Sequence, residues 1–239
     1  MVLEGVAMEV PRRVLVVTPH PDDAEIACGG TVGRWIREGA EVLYLLCSDG
    51  SKGTEDPGIS PEALAEIRNQ EQLDAAAVLG VNEVVALGYP DGELEDTREF
   101  RRQIVRIIRR FQPDLVISPD PYRLSFYFHR DHRITGQVTQ DAVFPYARDR
   151  LHFPELEEEG LKPYKVATIL FWGAEEPDTF LDITDTMDLK IKALRCHKSQ
   201  ISGLSDNDTT DWLRDWCRGV GEKVGYQYAE DYRKVQFQT

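Results

Sequence analysis

This chain of 239 residues is poor in cysteine, lacks any long apolar run and carries too little basic charge to balance its acids. Each shortage excludes a class of protein. The four cysteines, Cys28, Cys47, Cys196 and Cys217, are scattered, with no CxxC pair and no dense framework. That excludes a disulfide scaffold and fits the reduced thiols of a cytoplasmic protein. No apolar stretch approaches the roughly 18 residues that suggest a membrane span. The segment MVLEGVAMEVPRR has neither a basic n-region nor a long h-region, so no signal peptide is expected. With 28 Lys and Arg against 42 Asp and Glu, the formal charge of −14 argues against a nucleic-acid partner. The one basic run, Arg101 to Arg110, sets its charges between apolar residues at helical spacing and reads as the solvated face of an amphipathic helix. There is no GxGxxG and no GKS or GKT, so Gly29-Gly30 reads as close packing of a helix start against the sheet rather than a phosphate loop.

What the chain does have is a regular alternation of apolar runs and helical patterns. Strands are expected at Arg13 to Thr18, Glu41 to Cys47, Glu83 to Leu87 and Asp114 to Ser118, the second apolar enough for burial on both faces. Between them lie a helix ending at Gly39, one capped by Ser60 with Pro61 at its first position and ending at Gly80, and the basic helix from Thr97 to Phe111. A further helix starts near Asp131, and Asp149 to Lys162, with its acidic LEEEG, reads as a solvated loop. Strands at Val166 to Trp172 and Thr179 to Ile183 and a helix at Asp185 to Ser199 follow, while the last forty or so residues are of mixed character. No internal repeat and no low-complexity linker divides the chain, so residues 1–239 are expected to form one domain, with that tail as an extension. Alternation of this kind predicts an α/β, Rossmann-like three-layer fold with a mainly parallel sheet. In the usual winding, with strand order 3-2-1-4-5, the loops after strands one and four meet at a topological switch point, where such folds bind ligands.

Those two loops hold the chemistry. After strand one comes TPHPDDAEIACGG, in which His20 adjoins the paired carboxylates Asp22 and Asp23. After strand four comes YFHRDH, with His129, Asp131 and His132, so three of the chain's five histidines fall on these loops. Adjacent carboxylates repel unless something positive holds them. His20, Asp23 and His132 together have the composition of a zinc site with an open fourth position, although nitrogen and carboxylate ligands also suit Fe(II), Mn(II) or Co(II). If Asp23 ligates, Asp22 is left to take a proton from water activated by the metal. His129 is then placed to stabilise the oxyanion formed on a carbonyl, with Asp131 orienting its ring. Read alone, each loop could equally be a helix cap or a solvated acidic turn; their meeting at the switch point favours the metal site.

The sequence resembles the PIG-L or LmbE-like family of metal-dependent N-deacetylases. PHPDD (19–23) and HRDH (129–132) correspond to its two hallmark motifs, and R-x-x-E at Arg68 to Glu71, Leu79-Gly80, the PDG turn at Pro90 to Gly92 and HKSQ at His197 to Gln200 extend the match over about residues 12–200. The resemblance implies zinc held by His20, Asp23 and His132, with Asp22 as general base and His129 as electrostatic stabiliser. It also implies a contribution from Tyr127 on the substrate side, and sugar-hydroxyl contacts from Arg68 and Asp91. His197 would reach the site from the late helix, or simply complement a helix C-terminus. The implied activity is removal of the acetyl group from an N-acetylglucosamine-type sugar or conjugate, by a homo-oligomer, commonly a trimer or hexamer. An amidase that cleaves a larger acyl group from a glucosamine conjugate is the alternative. A non-catalytic carbohydrate binder on the same scaffold is disfavoured, because every ligand and the base are present. Trp172, Trp212 and Trp216 could stack on a sugar, but core or interface packing is the expectation for them.

Overall fold

Strand β1 (Arg13–Thr18) is buried along nearly its whole length. Val14 and Val16 enter one apolar cluster and Leu15 and Val17 another, so the strand is covered on both faces, as a continuous apolar run predicts. The structure, a computed structural model, describes residues 8–124, 128–201 and 208–237. The alternation continues with α1 (Asp23–Arg37), β2 (Glu41–Ser48), α2 (Pro61–Leu79), β3 (Glu83–Tyr89), α3 (Arg98–Phe111), β4 (Leu115–Pro119) and α4 (Arg130–Asp141). After these come α5 (Pro154–Glu158), β5 (Thr168–Trp172), β6 (Thr179–Asp182), α6 (Met187–Leu194), α7 (Lys198–Ile201), α8 (Asp208–Glu222) and β7 (Ala229–Gln236).

The helix boundaries have local causes. Ser60 accepts a hydrogen bond from Ala63 N at 3.2 Å with Pro61 at the first position of α2, and Gly80 closes that helix at φ +86°. Thr97 caps α3 in the same way, accepting from Phe100 N at 3.1 Å. At Gly30 a Cβ would lie 2.8 Å from the Ile183 side chain, so the glycine lets α1 approach the chain that leads into α6. The Gly29-Gly30 pair thus serves close packing, but against Ile183 and Lys190 rather than against the sheet as expected.

Seven strands form one sheet in the order β3-β2-β1-β4-β5-β7-β6. The first five are parallel, in the expected 3-2-1-4-5 order. β1 lies between β2 and β4, with Val16 aligned to Tyr44 on one side and Ile117 on the other. The loops leaving the carboxyl ends of β1 and β4 are therefore neighbours. Gly136 tightens that corner: a Cβ there would lie 2.3 Å from the Pro119 carbonyl, so α4 rests directly on the end of β4.

Three elements differ from expectation. The tail supplies β7, antiparallel to both β5 and β6 and inserted between them. Its sequence AEDYRKVQ is too polar to read as a strand, yet Glu230 is buried because Lys190 pairs with it and the Gly30 and Thr31 amides donate to it at 2.9 and 2.8 Å. The acidic segment expected as loop folds α5, pinned by buried Leu156; Glu155 and Glu159 pair there with Arg98 and Arg106 of the basic helix, which accordingly shows an ion-paired surface. The long late helix is broken: a 3-10 turn at Thr184–Thr186 leads into α6, and residues 195–197 separate α6 from α7.

Candidate active site

The loop after β1 turns sharply at Asp22, whose φ of +95° lies in the left-handed region that a side chain rarely adopts. Three contacts hold it there. Asp22 N donates to Gln72 Oε1 at 3.2 Å, Arg68 Nη2 donates to Asp22 Oδ2 at 3.2 Å, and the same nitrogen donates to Pro21 O at 2.7 Å. Arg68 and Gln72 are four residues apart on α2 and so share one face.

The turn delivers Asp23 to the start of α1, between two imidazoles. Asp23 Oδ2 lies 3.1 Å from His20 Nδ1, and Oδ1 lies 3.2 Å from His132 Nε2. His20 Nε2 is backed by two more carboxylates, Asp91 Oδ1 at 3.2 Å and Asp131 Oδ2 at 3.3 Å. Those acids are themselves anchored: Asp131 accepts from Gly92 N and Leu94 N, and Asp91 from Lys52 N. His129 caps α4, its Nδ1 accepting from Asp131 N at 3.2 Å, so its proton is assigned to Nε2. The rings of His20, His129 and His132 gather with centroids 4.6 to 5.3 Å apart.

Electrostatics sharpen the picture. Burial works against a charged His20, yet hydrogen bonds to Asp131, Asp23 and Asp91 together push it up to about 12. Burial likewise opposes a charged Asp23, but His132 and His20 hold it well below the usual carboxylate range. Burial and the Asp23 charge raise Asp22 to about 7 against the pull of Arg68. Burial and the neighbouring His20 and His132 keep His129 below its ordinary value. Asp22, Asp23, Asp91 and Asp131 thus converge on a spot where the positive charge beside them comes from Arg68 and from the imidazoles they polarise.

A divalent cation fits the donor chemistry. Donor atoms of His20, His129 and His132 lie within 4.8 Å of one another, as do those of His20, Asp91 and Asp131. Asp23, touching both His20 Nδ1 and His132 Nε2, adds a carboxylate to the first group. The second group lies on the far nitrogen of His20, where carboxylates could ligate a metal themselves or orient an imidazole that does so.

Not every residue expected at the site faces it. Asp91 contacts His20, and Arg68, only 4% exposed, is engaged with Asp22, Pro21 and Gly50. The Asp131 carboxylate turns to His20 and the 92–94 turn, while its backbone N–H is what meets the His129 ring. His197 is fully buried, Nε2 3.1 Å from Glu25 Oε2, in a chain that runs through Gln72 to the Asp22 backbone. It is placed behind Asp22, not on the substrate side. Tyr127 lies outside the described residues. Glu25 and Gln72 carried no motif signal; only their positions, two residues after Asp23 and four after Arg68, marked them. A cleft of about 280 Å³ opens over Asp22, Asp23 and His132, walled in part by Arg123, Trp172 and Trp216.

Comparison with known proteins agrees with this geometry. The family model described as PIG-L: GlcNAc-PI de-N-acetylase matches residues 15–143. A diacetylchitobiose deacetylase of Thermococcus kodakarensis is 37% identical over 94% of this chain and 83% of that protein. A probable N-acetyl-alpha-D-glucosaminyl L-malate deacetylase 2 of Bacillus anthracis is 28% identical over 94% of this chain and 96% of that one. The structure of an N,N'-diacetylchitobiose deacetylase from Pyrococcus horikoshii superposes with a TM-score of 0.87 at 36% identity, covering 95% of this chain and 84% of that one. The family model's match, which takes in more than half of the chain, from β1 to α4 with both loops of the His/Asp cluster, establishes that the chain belongs to the PIG-L family.

Proposed function

We propose that this protein is a metal-dependent amidohydrolase that removes the acetyl group from the 2-acetamido group of an N-acetylglucosamine-type sugar or conjugate. The observation that carries the reading is the Asp23 carboxylate spanning His20 Nδ1 and His132 Nε2, with Asp22 beside it on a strained turn. His20, Asp23 and His132 are the residues that would hold the metal. Zinc is the ion we assign, since two imidazoles and one carboxylate leave the open position of a catalytic zinc site. When bound, such a cation supplies Lewis acidity, polarising an amide carbonyl and acidifying water.

The remaining chemistry belongs to the chain's own side chains. Asp22, raised to about 7 by burial and by Asp23, takes a proton from the attacking water and returns it to the departing amine nitrogen, as the C–N bond breaks to give acetate and free amine. Arg68 and Gln72 fix where that carboxylate stands. His129, neutral and protonated on Nε2, donates to the carbonyl oxygen as it gains charge. Asp91 and Asp131 hold His20 in position from behind. Together they supply orientation before the reaction begins.

The one sheet that takes in β7 supports reading the whole chain as a single domain. Among the described residues no helix is long and apolar enough to cross a membrane, and the four free cysteines suit a reducing compartment, so we place the enzyme in the cytoplasm. By resemblance it works as a trimer or hexamer. The test of the activity is the Asp22→Ala variant with N-acetylglucosamine and its conjugates as substrates, read by free-amine release. It should retain bound metal and lose deacetylation; turnover near the wild-type rate would overturn the assignment of Asp22.

A further inference from the structure

Two tryptophans on α8 stand where the core does not need them. Leu213, Cys217 and Val220 are buried and dock this helix, the first two against Ile183, Met187 and Ile191 and the third against Phe180 and Ala229. Trp212 and Trp216, one turn apart on the adjoining stripe, keep 44% and 42% of their surface exposed. Their rings stack on each other at 6.3 Å between centroids, 27° from parallel. Core packing, one expectation for them, does not describe this face. Leaving two indoles in solvent forgoes about 25 cal/mol for each Å² of apolar surface not buried, which calls for a reason.

The reason lies in what they line. Both tryptophans border the cleft that opens over Asp22, Asp23 and His132, and Arg123 and Trp172 border it too. The Arg123 guanidinium sits 4.9 Å over the Trp172 ring, which fixes a hydrogen-bonding group at the rim. The lining is therefore of two kinds: flat apolar faces from α8 and charged or donor groups from the strand ends. A pyranose ring matches that division, with its C–H face for the indoles and its hydroxyl edge for the polar groups. A lipid tail does not, because it would set hydrocarbon against the charged rim formed by Asp22, Asp23 and Arg123. At about 280 Å³ the cleft lies at the small end of ligand pockets, suited to a short saccharide.

We propose that Trp212 and Trp216 form a second sugar subsite, a stacking shelf for the pyranose linked to the acetamido sugar whose amide is cleaved. The proposal rests on the deacetylase reading of the metal site and adds to it two specificity-determining residues, which favour a short N-acetylated oligosaccharide over the monosaccharide. Neither tryptophan touches the reacting atoms; the shelf sets specificity by holding the neighbouring ring.

The experiment compares wild type, Trp212→Ala, Trp216→Ala and Trp216→Phe on N-acetylglucosamine and on N,N'-diacetylchitobiose. Each alanine variant should lower kcat/KM for the disaccharide about tenfold, the scale of one lost aromatic contact. The loss should fall in KM, while kcat/KM for the monosaccharide stays within about twofold of wild type. Trp216→Phe should recover most of the loss, since a smaller ring still offers a stacking face. Equal losses on both sugars would mean a structural role and would overturn the shelf, as would no loss on either. If the wild type deacetylates neither sugar, the activity reading fails. The shelf is then judged by calorimetric titration with N,N'-diacetylchitobiose. Heat with the wild type that disappears in the Trp212→Ala/Trp216→Ala double variant upholds it, and no heat, or heat unchanged in the double variant, overturns it.

Discussion

Arg68 Nη2 lies 3.2 Å from Asp22 Oδ2 and 2.7 Å from Pro21 O, so one guanidinium nitrogen grips both the proposed base and the carbonyl just before it. Nη1 of the same group donates to Gly50 O at 2.9 Å. The side chain is 4% exposed. An arginine expected to meet sugar hydroxyls is thus committed to the protein itself. Its electrostatic work is on Asp22, where it opposes the upward push of burial and of Asp23.

That placement predicts the kinetic signature of Arg68→Lys. A lysine cannot reproduce the planar fork that reaches Asp22, Pro21 and Gly50 at once. Turnover should fall by about 10²-fold with KM changed by less than about threefold, because misplacing a catalytic group costs kcat. Steady-state kinetics by amine release give the split; a rise in KM at unchanged kcat would instead make Arg68 a substrate contact.

Metal content separates the two possible ligand sets. His129 Nδ1 accepts the Asp131 N–H at the start of α4, whereas Asp23 touches both His20 and His132. Asp23→Ala and His132→Ala should therefore lose most of their bound metal, and His129→Ala should keep it. His129→Ala should still lose about 10²- to 10³-fold in kcat, the cost of one oxyanion donor. Elemental analysis of the purified variants checks the first part. Loss of metal from His129→Ala would favour the three-histidine set.

The parts of this architecture with a one-dimensional signature were readable in the sequence. Apolar runs gave the first five strands, Ser60-Pro61, Gly80 and Thr97 marked helix ends, and strand order placed PHPDD beside HRDH. What was hidden depends on partners far along the chain. β7 reads as polar because Glu230 is balanced mainly by distant partners, Lys190, forty residues away, and amides of α1, with the Tyr232 hydroxyl as its local donor. His197 looked like a site residue because nothing local shows that Glu25, 172 residues earlier, would take its imidazole into the interior. Gln72 supports the strained Asp22 backbone from α2; its spacing from Arg68 puts it on the same helix face but does not name its partner.

The His197–Glu25 pair makes stability depend on pH. Burial works against a charged His197, but the hydrogen bond and charge of Glu25, joined by Asp22 and Glu71, raise it above its ordinary value. A histidine raised on folding contributes stability that is fully present below its unfolded value of about 6.5 and lost as pH climbs through the folded value. The Tm gap between wild type and His197→Gln should thus be widest near about pH 6 and shrink toward about pH 9. Thermal melts across that range give the answer; a gap that widened with pH would mean His197 is buried neutral.

Gln72→Leu isolates the support behind Asp22. The substitution removes an acceptor for Asp22 N and a donor to Glu25, both in buried surroundings. Leaving such groups unpaired should cost about 1–3 kcal/mol, seen as a lower denaturant midpoint. With φ at Asp22 no longer enforced, kcat should fall while metal content and KM stay near wild type. Loss of stability with kcat intact would make Gln72 a structural residue only.

Gly136→Ala joins the fold to the site in one methyl group. The added Cβ would lie 2.3 Å from the Pro119 carbonyl and 3.0 Å from Pro121 atoms, contacts made by backbone and a rigid ring that cannot swing aside. α4 must therefore lift from the end of β4, at a cost of about 1–3 kcal/mol for overpacking. Because α4 begins at Arg130 and carries Asp131 and His132 in its first turn, that shift moves His132 relative to Asp23 on the other loop. Metal affinity should fall together with stability, although residue 136 touches no ligand. Gly221→Ala provides the control: its 2.6 Å clash is with the Tyr226 carbonyl between α8 and β7, elements that carry none of the proposed ligands. It should lower Tm while leaving metal titration unchanged. Equal effects of the two variants on metal affinity would show that general destabilisation, and not the position of α4, governs the site.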